Sequence, residues 1–211
     1  MPFTGEIYEG SARVGFWNIT ESEAVLRAGI TLSPASMSLV NGSGSEKRRR
    51  ELLAVRSLMH RMGISDSDLY YDGDKPLLHS ERHISISHSG TMACVALSAD
   101  EPVGIDIQEI KPRLSAVMKW LLRAKKTERE EDLGLIRSGL LWTAKEAMYK
   151  LGGGKDAYMR DLEVVLPEGE PGLEGYLTGY QKAAEGRKDY CIAYRVMDGY
   201  IFAVAWMKTT G

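Results

Sequence analysis

A chain of 211 residues with 44% hydrophobic and 27% charged residues has the composition of one large or two small globular domains, which excludes disorder, collagen and coiled coil. Its 27 basic and 29 acidic residues leave a net charge of -2, so no overall field selects a nucleic acid or a membrane surface as partner. Cys94 and Cys191 are its only cysteines, too few for a disulfide framework or a four-ligand zinc site and suited to a reducing cytoplasm.

The opening MPFTGEIYEG has neither a basic stretch nor an apolar core. The longest apolar run, Tyr200–Met207, falls far short of the roughly 20 residues that span a bilayer. A soluble, unexported protein is expected. An apolar segment at 14–19 precedes Thr20 and Glu23, which have the spacing of a capping box and predict a short helix. After the loop NGSGS at 41–45, Leu52, Val55, Met59 and Met62 recur at helical spacing behind a basic first turn, so 46–62 reads as an amphipathic helix stopped by Gly63. Runs at 84–88 and 92–98, joined at Ser89-Gly90, read as a hairpin.

The second half repeats the scheme. Residues 103–108 alternate as a half-buried strand, charged helical stretches follow, and a helix covers about 139–151 before Gly152 to Gly154 end it. Residues 167–175, rich in Gly, Pro and Glu, read as a loop. Runs at 190–196 and 200–207 flank Asp198-Gly199, a strong hairpin turn signal. Strand, helices and hairpin thus occur twice, predicting an α+β fold of two similar lobes, 1–100 and 101–211, meeting at a cleft.

Chemistry-bearing residues cluster in four places. On the strand at 103–108, alternation puts Gly104, Asp106 and Gln108 on one face. Asp106 and Gln108 can share a hard cation, and Gly104 leaves room for a ligand against the backbone; the bland alternative is a solvated strand face. In WTAKEAMYK at 142–150, Leu140, Ala144, Ala147, Met148 and Leu151 form one apolar stripe. Glu146 and Lys150 lie together away from it, either as a surface ion pair or as a metal ligand beside a phosphate-binding cation. ISISHSG at 84–90 brings His88 to a strand end beside Ser87 and Ser89; it lacks the G-x-S-x-G of a nucleophile elbow. The basic residues Lys47, Arg48, Arg49, Arg50, Arg56 and Arg61 make an electropositive helix start suited to phosphate, or a solvated face.

Taken in order, Asp74-Lys75-Pro76, ISISHSG, PVGIDIQ at 102–108 and WTAKEAMYK resemble the 4′-phosphopantetheinyl transferase superfamily, and within it the larger, surfactin-synthetase-activating type. That resemblance implies a monomeric pseudodimer of two α/β lobes, each with a small, mainly antiparallel sheet on helices, and an active site between them. It implies Mg²⁺-dependent transfer of the phosphopantetheine arm of coenzyme A to a serine of an apo acyl or peptidyl carrier protein, releasing 3′,5′-ADP, in the cytoplasm and without nucleic acid or membrane.

Residue by residue, Asp106 and Glu146 match the metal-binding acids, His88 and Lys75 the coenzyme A contacts with Ser87 beside them, and Lys150 the lysine near the pyrophosphate. Lys145 matches the motif without a distinct role. Glu146 is the candidate to take the serine proton. Lys47 and Arg49 are the expected phosphate contacts on the basic helix. Two departures stand out: Gln108 replaces a third acid, giving an amide oxygen where relatives carry a charge, and KWLLRAKKTEREE at 119–131 replaces an aromatic-rich segment. Two other readings use the same residues: a Mg²⁺-dependent nucleotide pyrophosphate hydrolase, and a non-catalytic polyanion-binding module, for which the basic helix lacks interleaved stacking aromatics.

Overall fold

The computed structural model describes residues 2–111, 134–152, 159–183 and 186–208. The segment at 119–131, the charged stretches before it and the glycines at 153 and 154 lie outside them. The chain divides into two compact units, Met1–Asp100 and Glu101–Gly211. Each is an antiparallel sheet carrying one long helix.

In the N-terminal unit, β1 (Phe3–Glu9) and β2 (Ala12–Asn18) form a hairpin, followed by α1 (Glu23–Ala28), α2 (Pro34–Gly42) and α3 (Glu46–Arg61). A two-stranded ribbon of β3 (Leu69–Asp72) and β4 (Lys75–Leu78) precedes the hairpin β5 (His83–Ser89) and β6 (Met92–Ser98). The main sheet runs β1-β2-β6-β5. The helix starts follow from serine caps: Ser22, Ser33 and Ser45 each accept the N–H three residues on, at Val25, Ser36 and Arg48, each serving a donor that the first turn otherwise leaves unpaired. The cap of α1 is therefore Ser22, two residues beyond the Thr20 expected from sequence. Helix α3 buries Leu53, Leu58 and Met59 in a core completed by Val95, Leu97, Ile64 and Val40.

In the C-terminal unit, β7 (Val103–Glu109) leads to α4 (Leu135–Leu151), then β8 (Leu162–Val165), β9 (Glu174–Ala183), β10 (Gly186–Met197) and β11 (Tyr200–Met207). The sheet order is β7-β11-β10-β9-β8. Asp198 and Gly199 have φ of 49° and 79°, the left-handed pair that a tight hairpin turn requires. The apolar stripe of α4, from Leu140 to Leu151, is buried with Leu162, Tyr190, Ile192 and Ile201.

Each sheet holds more strands than sequence reading found. Strand β1 went unrecognised because its alternation is broken at Gly5, where the register with β2 shifts and φ is 137°. Residues 174 and 175, read as loop, begin β9. The NGSGS loop is shorter than expected, because Asn41 and Gly42 end α2.

Candidate active site

The C-terminal unit's candidate residues lie where α4 crosses β7. Gly104 makes that crossing close: a Cβ there would run into the Ala147 carbonyl and come within 2.8 Å of Leu151 N. The expectation that Gly104 leaves space for a ligand is therefore corrected, since the helix backbone occupies that space. Strand β7 is also not half-buried, because Val103 through Ile107 are all buried. Asp106, two residues further along the same face, is 6% exposed.

The close crossing sets Glu146 and Lys150, which flank Ala147 on α4, beside the strand. Lys150 Nζ donates to Asp106 Oδ1 at 2.7 Å, so the lysine spans to the strand acid. Burial pushes the Glu146 carboxyl above its ordinary range, the negative charge of Asp106 pushes it further, and Lys150 opposes the rise. Among the described residues two carboxylates thus face one ammonium in a half-buried place.

Gln108 follows Asp106 on the face toward α4, and its Nε2 donates to the Glu109 carbonyl at 3.2 Å. This leaves its Oε1 as the group it can offer a cation. Lys145 is buried and turns away to donate to the Met159 carbonyl at 3.4 Å, a tether for the chain after α4. Among the described residues no group of three or more His, Cys, Asp or Glu is arranged to hold a metal. Asp106 and Glu146 are nonetheless hard oxygen donors of the type that Mg²⁺ takes one or two at a time, filling its other positions with water and phosphate oxygens.

In the N-terminal unit, His88 lies on the face of β5 that also carries Ile84 and Ile86, which pack into the core with α3. This brings its ring to the first turns of α3. Arg48 Nη1 hydrogen-bonds His88 Nε2, and because a guanidinium only donates, Nε2 is the acceptor. The other ring nitrogen, Nδ1, is 3.4 Å from Glu51 Oε2, and Glu51 also pairs with Arg48 at 3.4 Å and with exposed Lys47 at 3.7 Å. Strand alternation puts Ser87, which is buried, on the face opposite His88.

Arg49 is committed elsewhere. Its Nε donates to Glu23 at 2.9 Å and its Nη1 to the Ser43 carbonyl at 2.8 Å, bracing α1 and the turn before α3. Lys75 opens β4 opposite Asp72. The turn before it, with Gly73 and Asp74, borders a cavity of about 570 Å³ that also touches Arg48, Leu52 and Tyr71. Sequence reading set Arg48 only within a basic run and gave Glu51 no role at the site. The signal that distinguishes them is a contact between residues 48 and 88, which no local pattern displays.

No family model matches the chain. It is 33% identical over 118 residues to the 4′-phosphopantetheinyl transferase AcpT of Escherichia coli strain K12, covering 51% of this chain and 60% of that protein. It is 32% identical over 127 residues to the 4′-phosphopantetheinyl transferase psf-1 of Bacillus pumilus, covering 52% of each. With the 4′-phosphopantetheinyl transferase HetI of a Nostoc strain it shares 24% identity over 193 residues, 81% of this chain and 80% of HetI. The chain thus spans about 60% of the Escherichia coli relative's length and about half of the Bacillus one. These relatives carry one name across three bacteria, and the superfamily that the chain resembles is the 4′-phosphopantetheinyl transferases.

Proposed function

We propose that this chain transfers the 4′-phosphopantetheine arm of coenzyme A to a serine hydroxyl of an apo carrier protein, in the cytoplasm and as a monomeric enzyme of the surfactin-synthetase-activating type. The observation that carries the reading is the Asp106, Glu146 and Lys150 group, in which burial and Asp106 together raise the proton affinity of Glu146. In the reaction the serine oxygen forms a bond to the phosphorus that bears the pantetheine arm. The bond from that phosphorus to the bridging oxygen breaks, and 3′,5′-ADP leaves with the electron pair.

Each group of residues has its own part in that reading. Arg48 and His88, with the 570 Å³ cavity beside Gly73, Asp74 and Tyr71, suit the adenosine end: a guanidinium matches a phosphate and an aromatic-edged cavity a base. Lys47 is exposed nearby and free to swing to the same phosphate, with Lys75 as a further contact; Ser87, buried on the strand face opposite His88, is not one. Asp106 and Glu146, with Gln108 offering an amide oxygen, are the residues that would hold Mg²⁺. When bound, that ion neutralises charge on the diphosphate. Lys150 supplies a positive charge beside it, and Glu146 accepts the serine proton.

The test is intact mass measurement of apo acyl and peptidyl carrier proteins incubated with the protein, coenzyme A and Mg²⁺. The expected result is one phosphopantetheine added per carrier and an equal amount of 3′,5′-ADP. Cleavage of coenzyme A without carrier would replace the transferase with a hydrolase. No turnover, with retention on polyanions, would leave a binding module.

A further inference from the structure

Arg56 has no part in the reaction just proposed, yet among the described residues it is the most deeply buried arginine. Its side chain is 2% exposed and forms a 2.8 Å ion pair from Nε to Asp66 Oδ1, the acid being 7% exposed. Helical spacing puts Arg48, Leu52 and Arg56 on one face of α3, and all three border the 570 Å³ cavity.

The contacts of Arg56 reach two further walls of that cavity, α2 and β3. Nε also donates to Ser36 Oγ of α2 at 3.0 Å, and the Ser36 hydroxyl in turn donates to Asp66 Oδ1 at 2.8 Å. The second oxygen of Asp66 accepts the Ser33 N–H at 2.6 Å, so an acid 33 positions away caps the start of α2. The guanidinium carbon lies 5.9 Å from the ring centroid of Tyr71 on β3. One side chain on α3 thereby holds α2, the 63–67 turn and the β3 aromatic.

This arrangement is a poor stability device. Buried ion pairs gain little over apolar packing once desolvation is counted, and Arg56 Nη1 is buried without a hydrogen-bond partner among the described residues, which carries a cost of its own. Arg56 also borders a second cavity of about 690 Å³, lined by Gly29, His60 and Asp66 among others. With open space beside the tie, packing alone does not set where α2 and Tyr71 stand.

We propose that Arg56 is a positioning residue for coenzyme A: through Asp66, Ser36 and Tyr71 it sets the width of the cavity that takes the adenosine end. The proposal rests on the transferase reading. Acting on the walls and not on the 3′-phosphate, Arg56 affects coenzyme A and 3′-dephospho-coenzyme A alike, and affects binding without affecting the chemical step.

The experiment is calorimetric titration of both ligands into the parent, Arg56→Lys and Ser36→Ala, with carrier modification at saturating coenzyme A and melting temperature measured in parallel. Arg56→Lys should weaken both ligands equally, by about tenfold, as expected when walls of a binding site shift by an ångström or less, with turnover at saturation within about twofold. Ser36→Ala, which keeps the ion pair, should weaken both by about threefold on the same basis and remain folded. Parent-like affinities with a lowered melting temperature would make Arg56 merely structural and overturn the proposal. So would a selective loss for coenzyme A alone, which would mark direct phosphate contact. If Arg56→Lys does not fold, the Ser36→Ala affinity decides, a parent-like value overturning the proposal. A parent that binds neither ligand removes the transferase reading itself, and this proposal with it, whereas a binding parent with unaffected variants removes the proposal alone.

Discussion

Glycine marks the place where the long helix crosses the sheet in both units, and the two crossings are built differently. In the N-terminal unit a Cβ on Gly15 of β2 would meet side chains, Met62 Sδ at 2.7 Å and Leu58 Cδ1 at 3.0 Å. In the C-terminal unit a Cβ on Gly104 would meet backbone, the Ala147 carbonyl and Leu151 N. A thioether can turn aside, whereas a carbonyl in a helix cannot move without taking the helix along. The second crossing therefore fixes the depth of α4 over β7, and with it the placing of Glu146 and Lys150 against Asp106. The proposed transfer chemistry sits on the rigid crossing. The proposed coenzyme A contacts, Arg48 and His88, lie toward the first turns of α3 and not at Gly15, and there long guanidinium side chains do the reaching.

The strongest challenge to this division is Glu146→Gln, which keeps shape while removing charge and basicity. Carrier modification should fall by about a hundredfold or more, the scale of general-base and metal contributions, and near-normal turnover would take Glu146 out of the mechanism. The same variant has a stability signature. A carboxyl whose folded pKa is raised contributes stability that is complete below its unfolded value and lost as pH rises through the folded one. In chelator-treated buffer at neutral pH, Glu146→Gln should therefore melt above the parent while doing less, with the gap closing on acidification. A lower melting point would contradict the raised carboxyl.

The glycines themselves come next. Gly104→Ala should cost about 3 kcal/mol, the upper end for overpacking, and Gly15→Ala about 1 kcal/mol, read from urea midpoints. Equal losses would erase the distinction between the two crossings. Arginines of the basic helix divide similarly. Arg48→Ala should weaken coenzyme A by about tenfold or more, the range of a charge-assisted contact of roughly 1.5–3 kcal/mol, leaving 3′-dephospho-coenzyme A nearly unaffected. Arg49→Ala should lower the urea midpoint and spare affinity. A reversal would return the phosphate contact to Arg49. On the rigid side, Gln108→Glu adds a full charge beside Asp106, and half-saturation by Mg²⁺ should move several-fold lower; an unchanged curve would mean that Gln108 takes no part.

How far these features could be read from sequence follows the same contrast. The hairpin at β10 and β11 was legible because Asp198-Gly199 encodes its turn locally, and α4 because its apolar residues recur every turn. The Gly104 face was seen as a face but not for what covers it, since a periodicity reports burial only through side chains and a backbone contact leaves no residue pattern. Helix α2 was invisible because Ser36 and Val40 are its only buried residues, too few to make a period. Lys47 and Arg49 were chosen over Arg48 because four consecutive charges look alike until the chain folds. Their separation depends on Glu23, 26 positions before Arg49, and on His88, 40 positions after Arg48.

The smallest expected effect belongs to Glu23, and its sign is opposite to that of Glu146. Its carboxylate accepts from Arg27 Nε and Arg49 Nε, each at 2.9 Å, and these bonds, Arg27 first and then Arg49, hold it below the ordinary carboxylate range. A depressed folded pKa contributes stability present above the unfolded value and lost as pH falls through the folded one. Glu23→Gln should therefore lower the urea midpoint slightly at neutral pH, and the difference from the parent should vanish in acid. High salt should shrink it too, because the pair is partly exposed and salt screens its charges. A difference independent of both pH and salt would assign the brace to packing of the carboxamide-sized group. In that case Arg49 would be held to α1 without its ion pair, and its guanidinium would be available to a phosphate after all.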